Sequence, residues 1–247
     1  MFLPSHYLVR VDDLPQAVAD YEAAGFTVSW GSEKATAYNA MIYFESGGFI
    51  ELFDPPVSSG VVENLQKGIS RVGAAVGQPL LTRYNRWFTE RGIVDWALES
   101  HVPLAEAISS ATAKGAGIGK IRNMSRKQAD GTSTQWQLAN TNSGDLPFVM
   151  GPYSPPPTIT SDQIDHQNGL RKLTGMVIET PNPDQQANSL SQLFGNVTIG
   201  EHDSEIRLEA VGFQICIRQG AQHRYAAMKT DRQISSDHNL HKLVLEV

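Results

Sequence analysis

The sequence predicts an α+β protein made of tandem βαβββ modules, three copies plus a C-terminal strand, with mixed sheets curled around a cleft. Three observations carry the prediction. Strand, helix and three further strands follow one another within residues 5–54. That order returns twice along the chain. Each copy is punctuated alike, with a Pro or an acid at the helix start and a glycine at its end.

In the first copy, "HYLVRV" has the β-branched and aromatic residues of a buried strand. Asp12 and Asp13 offer an N-cap and Pro15 lies just inside the helix. Leu14, Ala17, Val18 and Tyr21 form its apolar stripe, and Gly25 can adopt the left-handed conformation that stops it. "FTVSW", "YNAMIYFE" and "GFIELFD" read as the next three strands, the last two joined by "SGG". The second copy begins at "IVDWALESHVPLAEAISSATAKGAGIGKI", with Gly115 as the stop, and continues in "STQWQLANT" and "LPFVMGPY". The third begins at "LTGMVIETPNPDQQANSLSQLFGNVTIG" and continues in "EIRLEAV" and "GFQICIRQ". "HKLVLEV" is read as a final strand. Leu80, Leu81, Tyr84, Trp87 and Phe88 stand at helical spacing between copies one and two. "YSPPPTITSDQIDHQNGLRK" reads as a stiff extended linker. The expected organisation is a cleft-bearing pair of modules over 1–152, a Pro-rich linker over 153–169, and the third module with its terminal strand over 170–247.

A chain of 247 residues with 40% apolar and 19% charged residues can bury a sizeable core. Its net charge of −6 gives no basic surface for nucleic acid or anionic membrane. The single cysteine, Cys216, excludes an internal disulfide and fits a reducing compartment. No apolar run approaches the roughly 18–20 residues of a membrane helix, and the start lacks a secretory pattern, so the expected location is cytoplasmic. G-x-S-x-G, C-x-x-C and H-E-x-x-H are all absent. "GAGIGKI" leads into a strand, not a helix, and so is no phosphate loop.

The ordered series "SHYLVRVDDLPQAVADYEAAGFTV", "YNAMIYF", "GFIEL", "RKQADGTSTQWQL", "LPFVM" and "DHQNG" resembles the glyoxalase-like branch of the vicinal oxygen chelate superfamily along nearly the whole chain. The resemblance implies a half-open barrel from each module pair, with a divalent metal (Zn, Ni, Mn or Fe) held by the first and fourth strands. His6 and Glu51 occupy two of those positions. The matching positions in copy two are read as Trp96 and Met150, and in copy three as Gly175 and Ile215, none a fitting ligand. The implied metal set is therefore incomplete. Where the branch carries a histidine before the asparagine of strand three, this chain has Tyr38 before Asn39. His241, at the head of the last strand, would face a second cavity if that strand pairs beside the third copy.

Glu51 stands between apolar neighbours and needs a partner, for which His6 is the natural choice. A carboxylate so placed can serve as general base on a carbon acid. Glu51, His6 and Tyr38 are thus the candidate catalytic residues; Asn39, Trp96, Arg126, Trp136 and Met150 are the candidate substrate contacts. Two functions follow: lyase- or isomerase-type chemistry on a small polar molecule, or non-catalytic sequestration of a small apolar or aromatic molecule between Trp96, Trp136, Tyr38 and Met150. The expected partner is a small-molecule ligand, and a homodimer is compatible with the fold.

Overall fold

A computed structural model of the protein describes residues 2–54, 68, 78–127, 133–195, 197–202, 204–235 and 237–247. The first module runs β1 (Phe2–Arg10), α1 (Leu14–Ala23), β2 (Ser29–Trp30), β3 (Asn39–Tyr43) and β4 (Phe49–Phe53). Helix α2 (Pro79–Thr89) follows. The second module runs β5 (Gly92–Ser100), α3 (Leu104–Thr112), β6 (Arg122–Lys127), β7 (Ser133–Ala139) and β8 (Phe148–Met150). The third runs β9 (Leu173–Thr180), α4 (Pro183–Phe194), β10 (Thr198–His202), β11 (Glu205–Ala210) and β12 (Phe213–Gln219). Strands β13 (Arg224–Thr230) and β14 (Leu245–Glu246) complete the order.

Local chemistry explains the helix ends. The Asp13 side chain accepts from the Gln16 amide at the start of α1, where Pro15 occupies the first turn and costs no hydrogen bond. Gly25, at φ +82°, takes the chain out of α1.

The first two modules form one eight-stranded sheet in the order β2-β3-β4-β1-β5-β8-β7-β6. Their first strands, β1 and β5, run antiparallel at its centre, and each lies parallel to the fourth strand of its own module. The second sheet has the order β10-β11-β12-β9-β13-β14. The two sheets share a core. Tyr7 of β1 stacks on both Trp96 of β5 and Phe213 of β12, at 6.2 and 5.9 Å between ring centroids, and Trp96 meets Phe194 of α4. Each sheet therefore has one face turned to this core and one turned away from it.

Three expectations need correction. Strand β6 begins at Arg122, not directly after Gly115; before it, Ile118 makes only an isolated bridge to Thr141. "HKLVLEV" supplies only the short β14, because His241 and Lys242 adopt left-handed backbone (φ 51° and 67°). Strand β13, "RYAAMKT", was not foreseen; its paired alanines and charged ends hide it from strand propensity. It lies antiparallel to β9 as β5 lies to β1, and β14 lies parallel to it as β8 does to β5. The chain thus ends on two strands, β13 and β14, added beside β9 in the second sheet. Residues 128–132, between β6 and β7, lie outside the described residues.

Candidate functional site

The outward face of the eight-stranded sheet is divided in two. Helix α2 covers one part through charge as well as through apolar contact, Trp87 packing against Leu8, Phe53 and Val94. Its buried residues are Arg83 and Arg86. Arg83 pairs with Asp95 of β5, which is wholly buried, and donates to the Leu146 carbonyl at 2.7 Å. Trp87 Nε1 donates to the other Asp95 oxygen at 2.9 Å, and Arg86 pairs with Asp145 at 2.5 Å. Every carboxylate oxygen of Asp95 is thereby answered, as burial of a charge demands.

The other part is a cavity of about 420 Å³. The two-residue period of the strands decides what lines it. His6 and Leu8 come from β1, Asn39, Met41 and Tyr43 from β3, and Phe49 and Glu51 from β4. Thr134, Trp136 and Leu138 of β7 form the far wall, with Phe148 and Met150 of β8 between. Trp30, Tyr38, Arg126 and Tyr153 also line it, as do Pro157, Ile159 and Gln163 of the linker segment.

Glu51 is fixed at the floor. Asn39 Nδ2 donates to its Oε1 at 2.6 Å, and its Oε2 lies 3.8 Å from His6 Nε2. Gly31 makes room for this arrangement: a Cβ there would come within 2.0 Å of Asn39 Oδ1. The His6 ring stacks on Phe49 at 5.0 Å and meets the edge of Phe148 at 5.5 Å. Burial lowers the His6 pKa, against the opposing pull of Glu51 and Asp95. Burial likewise raises the Tyr43 and Tyr153 phenols, with Glu51 adding to both, so each keeps its proton at neutral pH. Arg126 forms no ion pair among the described residues and faces the same hollow.

The candidate residues sort clearly. His6, Glu51, Asn39, Arg126, Trp136 and Met150 all meet at the cavity. Tyr38 also lines it but stands at the rim, 43% exposed. Trp96 does not reach it. The side chain is completely buried on the opposite face, in the core shared by the two sheets. The error was one of register: His6 pairs with Ala97 and Tyr7 with Trp96 across the central strands. A one-residue slip moves a side chain to the other face. Pairing of β5 with β8 gives the same answer, since Ala97 lies beside Phe148 as His6 lies beside Phe49. In the third module the counterpart of Glu51 is Cys216, not Ile215, because Gln214 pairs with Gly175. His241 faces no second cavity; its Nε2 lies 3.0 Å from Asp20 and its ring stacks on Tyr21. His166 and Asn168 tie the linker to the first module, through the Thr27 amide and the Ala24 carbonyl.

Sequence reasoning missed Trp30, Tyr43, Phe49, Phe148 and Tyr153. Three of these were within its reach. Counting by twos from Glu51 gives Phe49, from Met150 gives Phe148, and from Asn39 gives Tyr43.

A metal of the implied kind does not fit the residues present. The first half supplies one imidazole and one carboxylate, and the second half supplies Ala97 and Met150 where two more ligands would stand. Among the described residues no group of three His, Cys, Asp or Glu side chains could hold an ion. A catalytic site wants three protein ligands.

Two βαβββ modules, paired through their first strands around such a hollow, define the vicinal oxygen chelate fold. The chain belongs to the glyoxalase-like domain family, whose model matches residues 5–194. No curated protein matches the sequence. Among solved structures it is similar to a hypothetical protein from Staphylococcus aureus, at 14% identity and a TM-score of 0.67, covering 93% of this chain and 91% of the other. It is also similar to a Mn(II)-bound glyoxalase from Novosphingobium aromaticivorans, at 13% and 0.52, over 93% of this chain and 65% of that one. An extradiol ring-cleaving dioxygenase from B. fuscum gives 13% and 0.53, over 94% and 57%. At such identities the likeness is one of fold. No helix among the described residues is long and apolar enough to cross a membrane.

Proposed function

We propose that the protein takes a small molecule with a flat apolar ring and a polar or anionic head into this cavity. There Glu51 acts as general base in lyase- or isomerase-type proton transfer. The observation that carries the reading is the state of Glu51. One oxygen is held by Asn39, while the other has no hydrogen-bond partner among the described residues and opens on the hollow beside His6. A purely structural carboxylate would have both oxygens answered, as Asp95 does.

The remaining lining fits the same reading. Trp136, Phe49, Phe148 and Tyr153 offer faces and edges to a ring. Arg126 offers charge to an anionic head, and Tyr38 contacts the ligand at the rim. When Glu51 removes a proton from carbon, the electron pair moves to the adjacent carbonyl oxygen. The protonated phenols of Tyr43 and Tyr153 are donors on hand for that oxygen. Return of the proton to a different atom completes an isomerisation.

Phenylpyruvate tests this, since it has a ring, a carboxylate and acidic benzylic hydrogens. In D2O, the protein should accelerate loss of the benzylic proton signals, and Glu51→Gln should remove at least about a hundredfold of that rate. Arg126→Met should weaken binding about tenfold. A second reading, sequestration without chemistry, is favoured by the apolar positions Ala97 and Met150. Saturable binding with exchange no faster than in buffer decides for it.

A further inference from the structure

Strand β1 contains an irregularity whose product is a side chain out of sequence. The register against β5 slips between Pro4 and His6, so Ser5 is the extra residue of a bulge. Gly48, at φ +92°, makes this fit: a Cβ there would lie 2.3 Å from the Ser5 carbonyl oxygen. Ser5 consequently lies on the side of the ring where His6 turns away from Glu51. Its hydroxyl stands 3.3 Å from His6 Nδ1, 3.1 Å from Glu99 Oε2 and 3.9 Å from the Met150 sulfur. Ser5 is buried, 7% exposed, so these partners are not exchanged for bulk water.

Burial raises the Glu99 pKa, while the Ser5 hydrogen bond and His101 oppose the shift. With Glu99 ionised, the three groups admit one arrangement of protons: a carboxylate can only accept, so the Ser5 proton goes to Glu99. The Ser5 oxygen is then left to accept from His6 Nδ1–H. A neutral imidazole has one N–H, so Nε2 carries a lone pair. The far side of the ring agrees: Nε2 and Glu51 Oε2 stand 3.8 Å apart, beyond hydrogen-bond distance.

We propose that Ser5 and Glu99 fix His6 as the Nδ1–H tautomer, making His6 Nε2 and Glu51 Oε2 a paired acceptor that selects ligands carrying a hydroxyl or ammonium donor. This rests on the reading of the hollow as the binding site. Ser5 and Glu99 are positioning residues; they act through His6.

Long-range 1H–15N spectra of 15N-histidine-labelled protein, with His6 assigned from a His6→Gln variant, read the tautomer without any ligand. Wild type should show a protonated Nδ1 and a bare Nε2. Glu99→Gln should keep that state, because the amide oxygen still accepts from Ser5. Glu99→Leu and Ser5→Ala should lose it. A protonated Nε2 in the wild type overturns the proposal. Binding of mandelate and O-methylmandelate in the presence of EDTA then tests the selection. O-methylation should weaken binding roughly tenfold or more in wild type, and by much less in Ser5→Ala. Equal affinity of the two compounds for wild type overturns the selection. If neither binds while the tautomer stands as stated, the fault lies with the site reading instead.

Discussion

The two sheets turn equivalent faces away from their common core, and they have used them differently. On the first sheet the positions around the central strands are His6, Leu8 and Glu51, with aromatic walls and a hollow between. On the second sheet the same positions carry Gly175, Val177 and Cys216. There Cys216 is wholly buried, packed with Val177 and Ala227. Lys229 Nζ donates to Gln214 Oε1 at 2.8 Å above it. Glu205 is answered by both Arg207 and Arg218, at 2.6 and 2.8 Å. The comparison teaches that one module supports either a site or a satisfied surface. The choice is made by whether the polar groups find partners within the sheet. Glu205 does, and its pKa is held low by the two guanidiniums against the cost of burial. Glu51 keeps one oxygen for something else.

The largest effects should come from what anchors the first face. Asp95→Ala would strand the buried Arg83 and release α2, costing about 3–5 kcal/mol in a urea titration. A change below about 1 kcal/mol would show that α2 is held by its half-buried apolar residues instead.

Two tryptophans on opposite faces of the same sheet sharpen the contrast. Trp96→Ala should cost ~3–5 kcal/mol of stability, since the indole fills the core between the sheets. Trp136→Ala should cost about 1 kcal/mol or less, yet weaken phenylpyruvate binding at least about tenfold. Calorimetry and denaturation on the same samples separate the two roles.

A third effect lies where α2 meets the second sheet. Both ring nitrogens of His223 are buried without hydrogen-bond partners among the described residues, and burial depresses its pKa to about 4, with Asp145 opposing the effect and Arg86 adding to it. The folded state therefore prefers the neutral ring, while the unfolded chain takes up its proton first. Stability is full above the unfolded value near 6.5 and declines as pH falls toward 4. At pH 5 the loss should be about 2 kcal/mol relative to pH 7. His223→Phe should flatten that part of the profile; an unchanged slope would assign it to His6 or elsewhere.

The smallest effect belongs to the second face. Lys229→Met should alter stability by no more than about 0.5–1 kcal/mol and leave ligand affinity untouched. A loss of affinity would move the site.

Much of this was legible beforehand because it rests on local rules. Helix stops at Gly25 and Gly115, the turn at Gly47 and Gly48, and the order of strands all follow from backbone chemistry that a sequence states directly. The meeting of His6 and Glu51 in one hollow was an implication of the family resemblance, not of such local rules. What failed depended on register. One extra residue in β1, Ser5, and one in β5, Val94, shift the pairing across the central strands, and Trp96 was assigned to the wrong face by a single residue. Strand β13 escaped because "YAAM" pairs through its backbone and neighbours, with little side-chain signature of its own. The burial of Arg83 and Arg86 was equally hidden, since their partners Asp95 and Asp145 are distant in sequence or unremarkable in type.

The most direct test is a 1H–15N map of the four tryptophan indole signals during titration with phenylpyruvate. The hollow of the first sheet as ligand site predicts that Trp30 and Trp136 shift, while Trp87, bonded to Asp95, and Trp96, enclosed in the core, stay fixed. Movement of Trp96 alone, or of none of the four at saturation, would contradict it.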